Sequence, residues 1–273
     1  MTDEGSFRVI VANTSTLVAE AAAAQSVSGE AGLLFGRLLV GSILVRQTMS
    51  PAHRVQVILH HDGAPVMRVD SFPDGTNRGL VSLPTDDGRL KFTGKTFLEV
   101  MRTLHNGALH RSLTELTHPE DVSRGLMAYM QDSEQILSTI VVDCWGESND
   151  DLQACGYIVQ VLPEPDEGAL MVMTERMADF QDIAEFAKSG SLDTKDLLGE
   201  ILYGLPYAVL EEPTLSFGCP CNEERVVGAL STLGRVEIGQ IIKDGEVIEM
   251  SCDYCATEYK VGPQQLRALL TRN

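Results

Sequence analysis

The chain has 273 residues, 44% of them hydrophobic, with a net charge of −18 and a pI near 4.6. That length gives one or two domains with a real core, and so acidic a surface repels phosphate backbones and anionic bilayers, which excludes nucleic acid and membrane as expected partners. The N-terminus, Met1-Thr2-Asp3-Glu4-Gly5-Ser6, lacks the basic start of a secretory signal, and the longest apolar stretch, residues 32–45, carries Arg37 and is too short to span a membrane. A cytoplasmic protein is expected, and in a reducing compartment clustered cysteines serve as metal ligands or redox groups more often than as permanent disulfides.

In chain order, residues 7–11 read as a first strand. An Ala-rich helix is predicted over 16–25 and a longer, buried one over 30–47. Segments 55–59 and 65–70 flank Asp62-Gly63, a hairpin signal. Residues 80–83 add a strand after Pro73-Asp74-Gly75. Segments 97–104 and 109–116 flank Asn106-Gly107 as a second hairpin. Pro119-Glu120-Asp121 marks a helix start, with proline and acids in the first turn, running to about residue 134. Segments 137–145 and 153–162 make a third hairpin around a polar loop, 146–151. Many hairpins and few helices predict an α+β fold, an antiparallel-sheet core domain with packed helices over residues 1–170.

Composition shifts after Leu162: residues 164–212 hold 12 Asp or Glu against 3 Lys or Arg. Met177, Phe180, Ile183, Ala184 and Ala187 recur at helical spacing. After Gly190, so do Leu197, Leu198, Ile201 and Leu202, with Ser191 or Asp193 as caps. Two amphipathic helices in a linker over 171–214 are expected, and their apolar faces need a surface to bury against. Met171, Met173 and Met177 near the linker start read as core filler before they read as a binding surface.

Residues 215–273 are too few for a large core, yet they hold Cys219 and Cys221 as C-x-C and Cys252 and Cys255 as C-x-x-C. Two knuckles with two sulfurs each match a tetrahedral zinc. Zinc would supply much of the folding free energy of this small module, roughly 10–16 kcal/mol in comparable peptide sites. Helices over 223–233 and 236–242, a turn at Asp244-Gly245, strands over 247–251 and 259–261 and a last helix over 263–270 complete it. Spacing alone leaves open a structural staple, a redox switch, or both. The small, strained ring of a C-x-C disulfide favours redox lability, and zinc holds the thiols as thiolates, the form oxidants attack.

Phe217-Gly218-Cys219-Pro220-Cys221, then Glu224-Arg225-Val226 with Ala229-Leu230-x-x-Leu233-Gly234, and Cys252-Asp253-Tyr254-Cys255-x-x-x-Tyr259 resemble the zinc end of the heat shock protein thirty-three family. Asp70-x-x-Pro73-Asp74-Gly75-x-x-Arg78-Gly79 and Gly156-Tyr157-x-x-Gln160-Val161-Leu162-Pro163 are similar to segments of that family's core. The resemblance covers nearly the whole chain and implies a redox-regulated, ATP-independent holdase chaperone of the bacterial cytoplasm. It implies that Cys219, Cys221, Cys252 and Cys255 bind one zinc in the reduced, inactive state. Oxidation would then form Cys219–Cys221 and Cys252–Cys255 disulfides, release zinc and unfold module and linker. The oxidised protein would dimerise and hold unfolding client proteins. The residues themselves agree, since loss of zinc removes what folds 215–273 and the linker helices then lose a docking partner, freeing apolar stripes.

Cys144 and Cys155 lie outside this set. They read as small buried apolar residues, or as cross-strand neighbours able to close an auxiliary disulfide if the hairpin centres near Asn149 or Asp150. His60-His61-Asp62 reads as a polar, solvent-facing hairpin turn, and no role is assigned to His105, His110 or His118. Neither a phosphate-binding glycine loop nor a nucleophile elbow can be read, and no catalytic residues are expected. The alternatives are a purely structural zinc in a nucleic-acid-binding ribbon or in an enzyme. The first is disfavoured by 6 Lys or Arg against 8 Asp or Glu in 215–273, the second by the lack of an acid/base cluster.

Overall fold

In a computed structural model of the chain, the described residues are 1–82, 92–104, 106–189, 193–230 and 233–271. Strand β1 (Phe7–Asn13) leads into α1 (Ser15–Ala24), α2 (Gly29–Thr48), β2 (Arg54–His61), β3 (Ala64–Ser71) and β4 (Thr76–Val81). Then come β5 (Thr96–Thr103), β6 (Leu109–Leu116), α3 (Val122–Asp132), β7 (Ser138–Trp145) and β8 (Gln153–Val161). The chain divides into two compact units, Met1–Phe217 and Gly218–Asn273.

An apolar helix with no polar face has to be buried on every side. Helix α2 meets that condition by lying between two sheets, one of order β1-β8-β7, the other β6-β5-β2-β3-β4 with a short strand added after β4. Every pairing among these eight strands is antiparallel. Leu34, Phe35, Leu38, Leu39, Ile43 and Leu44 of α2 are buried in the main core. Gly36 lets the helix close on Cys144 of β7, where a Cβ would overlap the sulfur. Arg37, the charge inside the apolar stretch, reaches the sheet margin and donates to Asp143 at 3.0 Å.

The hairpin signals hold: Asp62 (φ 49°) and Gly63 (φ 82°) both adopt the left-handed turn conformation, and Gly107 (φ 78°) does so in the next hairpin. Strand β4 begins at Thr76, earlier than expected, while Leu83 lies outside the described residues. The expected helix start at Pro119 is corrected. Asp121 N–H donates to His118 O and Val122 N–H to Glu120 O, so these residues close a turn and the helix starts at Val122.

Three helices, not two, follow β8: α4 (Glu167–Asp179), α5 (Ile183–Ser189) and α6 (Thr194–Ile201). The Asp166 carboxylate caps α4 by accepting from Ala169 N–H, and Asp193 caps α6 by accepting from Lys195 N–H. Ser191 and Gly190 lie outside the described residues. The surface these helices need is the outer face of the β1-β8-β7 sheet. Met173, Met177, Ile183, Leu197 and Ile201 pack there on Phe7, Cys155, Tyr157 and Val159. Tyr157 donates its hydroxyl to Phe180 O at 2.9 Å, and Arg176 ties α4 to the end of α6 through Ile201 O at 2.8 Å. Met173 and Met177 are therefore core residues, whereas Met171 is exposed.

After α6 the chain runs to a two-residue strand, β9 (Ser216–Phe217), which pairs parallel with Thr76 and Asn77 at the edge of the larger sheet. Leu215 and Phe217 pack on the main core. Gly75 permits this approach: its φ is +84°, and a Cβ there would overlap the Thr214 carbonyl oxygen.

Candidate metal centre

The second unit contains α7 (Glu223–Ala229), α8 (Arg235–Asp244), β10 (Ile248–Ser251), β11 (Glu258–Val261) and α9 (Pro263–Thr271). Ser231 and Thr232, in the stretch expected to extend the first of these helices, lie outside the described residues. Asn222 caps α7 through Arg225 N–H, and Gly245 ends α8 in the left-handed conformation (φ 70°). Among the described residues the buried apolar core is Leu230, Ile238, Val261 and Leu266. So small a core needs another source of stability.

The four cysteines supply the place for one. C-x-C follows β9 directly, and Arg225 holds it by donating to Pro220 O at 2.8 Å. C-x-x-C follows β10, where Cys255 N–H and Ala256 N–H both donate to Cys252 O and Cys252 N–H donates to Thr257 O. Pairing of Ile248–Ser251 with Glu258–Val261 closes the second knuckle. The four Sγ atoms lie within 4.8 Å of one another, Cys219–Cys252 at 3.8 Å and Cys221–Cys255 at 3.3 Å. Four sulfurs about 2.3 Å from a tetrahedral zinc stand roughly 3.8 Å apart, so the donor set fits that ion in number, type and spacing.

Two hydroxyls touch the cluster. Tyr259 donates to Cys221 Sγ at 3.1 Å, and Thr257 Oγ1 lies 3.2 Å from Cys255 Sγ. At Cys221 burial pushes the thiol up, the Tyr259 hydroxyl opposes this, and the sulfurs of Cys255, Cys219 and Cys252 add to the rise, giving about 12. At Cys255 burial also pushes upward, but hydrogen bonds from Thr257 and the sulfurs of Cys221 and Cys252 outweigh it and bring the thiol down to about 7. The sequence places Tyr259 on a strand and in the motif that carries the family resemblance, four residues after Cys255, without giving it a role.

The other candidates separate. Cys144 and Cys155 are free and buried but do not face each other: Cys144 pairs with Ala154 and Cys155 with Asp143. Consecutive residues of a strand point to opposite faces, so Cys144 enters the main core and Cys155 the face under α4–α6. The auxiliary disulfide is ruled out by that geometry. His60 does not simply face solvent at the turn. Its Nε2 lies 2.8 Å from Glu99, which is buried and also bonded by Arg111. His61 sits edge-on to Phe92. His105 lies outside the described residues. No helix among those described is long and apolar enough to cross a membrane.

The family described as Hsp33 protein matches residues 1–262. The 33 kDa chaperonin of Thermodesulfovibrio yellowstonii is 30% identical over 248 residues, covering 86% of this chain and 84% of its own. That of Geobacter sulfurreducens is 27% identical, with 98% and 92% covered. The crystal structure of the Thermotoga maritima 33 kDa chaperonin, a heat shock protein 33 homolog, superposes with a TM-score of 0.81 at 24% identity, covering 98% of this chain and 94% of that one.

Proposed function

The chain belongs to the Hsp33 family, a family of chaperones, and from that premise we propose that it is a holdase switched on by oxidation of its four C-terminal cysteines. The observation that carries the reading is the convergence of Cys219, Cys221, Cys252 and Cys255 in a unit whose core, among the described residues, has four buried side chains. Zinc bound there would hold the sulfurs as thiolates and supply the folding free energy that burial does not.

Each oxidation balances with a two-electron oxidant, a peroxide or hypochlorite. A thiolate attacks the oxidant's electrophilic atom, that atom's bond to its leaving group breaks, and a sulfenic acid or sulfenyl chloride forms. A second thiolate displaces hydroxide or chloride and the disulfide closes. Cys219–Cys221 and Cys252–Cys255 are the pairs proposed, at the cost of one oxidant each. Sulfurs joined within each knuckle no longer bridge the two, so residues 218–273 lose their staple.

The consequence then passes along the chain. With the second unit unfolded, the segment after α6 is held by the two-residue β9 and by main-chain bonds of Pro206 and Ala208 to Asp3 and Met1. Helices of 13, 7 and 8 residues have little intrinsic stability, so α4–α6 persist only while docked. Their release uncovers Phe7, Tyr157 and Val159 on the sheet and the buried stripes of the helices themselves, a contiguous apolar surface of the kind that binds unfolded chains. The acidic surface keeps a client-loaded complex in solution. A homodimer of the oxidised form, a cytoplasmic setting and the absence of enzymatic chemistry belong to the same reading.

The test is zinc content and free-thiol count before and after hypochlorite, with aggregation of an unfolding client followed in the same samples. Release of one zinc with loss of four thiols and suppressed aggregation is expected. Zinc retained and equal aggregation in both samples would leave the cluster a structural staple.

A further inference from the structure

The Tyr259 hydroxyl donates to Cys221 Sγ at 3.1 Å, and we propose that Tyr259 is a positioning residue that slows attack of the Cys221 thiolate on peroxides and thereby sets the oxidant threshold of the cluster. This rests on the redox reading above and names a determinant of its sensitivity.

Tyr259 is built into the fold, not draped over it. It lies on β11 opposite Met250 of β10 and shares its strand face with Val261, which is fully buried in the core of the unit. The strand belongs to the second knuckle, yet the hydroxyl reaches a sulfur of the first. One side chain therefore links both halves of the cluster without being a ligand. An O–H bonded to a thiolate is charge-assisted and draws density from the sulfur lone pair, and partners of this kind tune the reactivity of the ligands they touch.

The step affected is the first of the oxidation. The Cys221 thiolate attacks the distal oxygen of a peroxide, the S–O bond forms as the O–O bond breaks, the sulfur gives two electrons, and the leaving alkoxide or hydroxide takes a proton from water. With the lone pair engaged by Tyr259, that attack begins from a less nucleophilic sulfur.

The experiment uses the full chain loaded with zinc. Peroxide-driven zinc release is timed with a colorimetric chelator, sulfenic acid at Cys221 is trapped with a cyclic 1,3-diketone and read by mass spectrometry, and chelator-driven release is timed without oxidant. Tyr259→Phe keeps ring volume and removes the donor. It is expected to speed peroxide-driven release and Cys221 trapping about tenfold, the low end of effects from such partners, with chelator-driven release changed far less. 3-Fluorotyrosine at position 259, a stronger donor of nearly the same size, is expected to slow the peroxide reaction. Equal acceleration with and without oxidant would mean that Tyr259 only braces the knuckles and overturns the proposal, as would an unchanged peroxide rate while the wild type releases zinc. A wild type that keeps its zinc in peroxide would overturn the redox reading and this inference with it.

Discussion

Cys144 and Cys155 stand one step out of register on adjacent strands, with Ala154 and Asp143 as their respective partners, and so line opposite faces of the β1-β8-β7 sheet. One faces α2, the other faces α4–α6. The two thiols therefore report different events. In the reduced protein neither should react with a maleimide in native buffer. After oxidation Cys155 should become reactive while Cys144 stays protected, because only the helices over Cys155 are proposed to leave. Peptide mapping of the label decides; equal labelling of the two would mean that the core opens as a whole.

The same burial makes the core sensitive to alkali. Burial leads at both positions; at Cys144 Arg37 opposes it and Asp143 adds to it, at Cys155 Asp143 and Cys144 add to it, and both thiols stand at about 12 against an ordinary 9.0. The unfolded chain loses these protons near pH 9 and the folded chain holds them to about 12, so in that window the unfolded state binds fewer protons. Stability contributed by the neutral thiols is complete below pH 9 and falls as pH rises towards 12. Urea midpoints from pH 7.5 to 10.5 should decline, and less steeply in the Cys144→Ala, Cys155→Ala double variant. Identical slopes would discard the assignment.

Asp70 is fully buried and accepts from Arg54, Gln56 and Arg78, and both arginines lie against the Phe72 ring. Asp70→Ala removes the buried carboxylate that Arg54, Gln56 and Arg78 share and should cost about 3 kcal/mol or more of unfolding free energy. Lys95→Ala, which breaks a 3.0 Å pair with Glu115 between two exposed side chains, should cost less than about 1 kcal/mol. Denaturant curves of the two variants test the contrast, and similar losses would remove the distinction drawn here.

Gly75 holds β9 to the sheet by lacking a Cβ. Gly75→Ala combines strain at a positive φ with overlap on the Thr214 carbonyl. Hydrogen exchange at Ser216 N–H, which donates to Gly75 O, should accelerate while zinc stays bound, and holdase activity should appear at lower oxidant doses. Unchanged exchange at Ser216 would show that the strand tolerates the methyl group.

These positions show what the sequence could and could not reveal. The cysteine knuckles were legible because ligand spacing is a local property, and the hairpins at Asp62-Gly63 and Asn106-Gly107 because turn chemistry is local too. The long α2 announced itself by an apolar pattern with no polar face. What escaped depends on register or on distant partners. The β7–β8 loop centres on Asn149, since Trp145 pairs with Gln153. A centre half a residue later would have placed Cys144 opposite Cys155, and such a slip exchanges the faces of a strand. His60 could not be paired with Glu99, 39 residues away, before β2 and β5 were known to be neighbours. The division of the first linker helix into α4 and α5 was hidden because Met177, Phe180, Ile183, Ala184 and Ala187 keep helical spacing across the break.

The docked helices and the metal centre can be separated by one substitution. Ile201 is completely buried at the end of α6, among Phe7, Tyr157 and Met177, and it lies far in sequence from every cysteine of the cluster. Ile201→Asp places an unpaired carboxylate in that apolar layer, a cost of several kcal/mol that α6, eight residues long, cannot absorb. The helix should undock while residues 218–273 keep their fold and any metal they bind, because neither the four clustered cysteines nor the Leu230, Ile238, Val261 and Leu266 core is altered. If the covered sheet face is the client surface, the reduced, zinc-loaded variant should suppress aggregation of an unfolding client without oxidant, and its Cys155 should be open to a maleimide. A variant with labelled Cys155, bound zinc and no suppression would show that undocking alone does not create the client site, and the search would move to surfaces exposed only when residues 218–273 unfold.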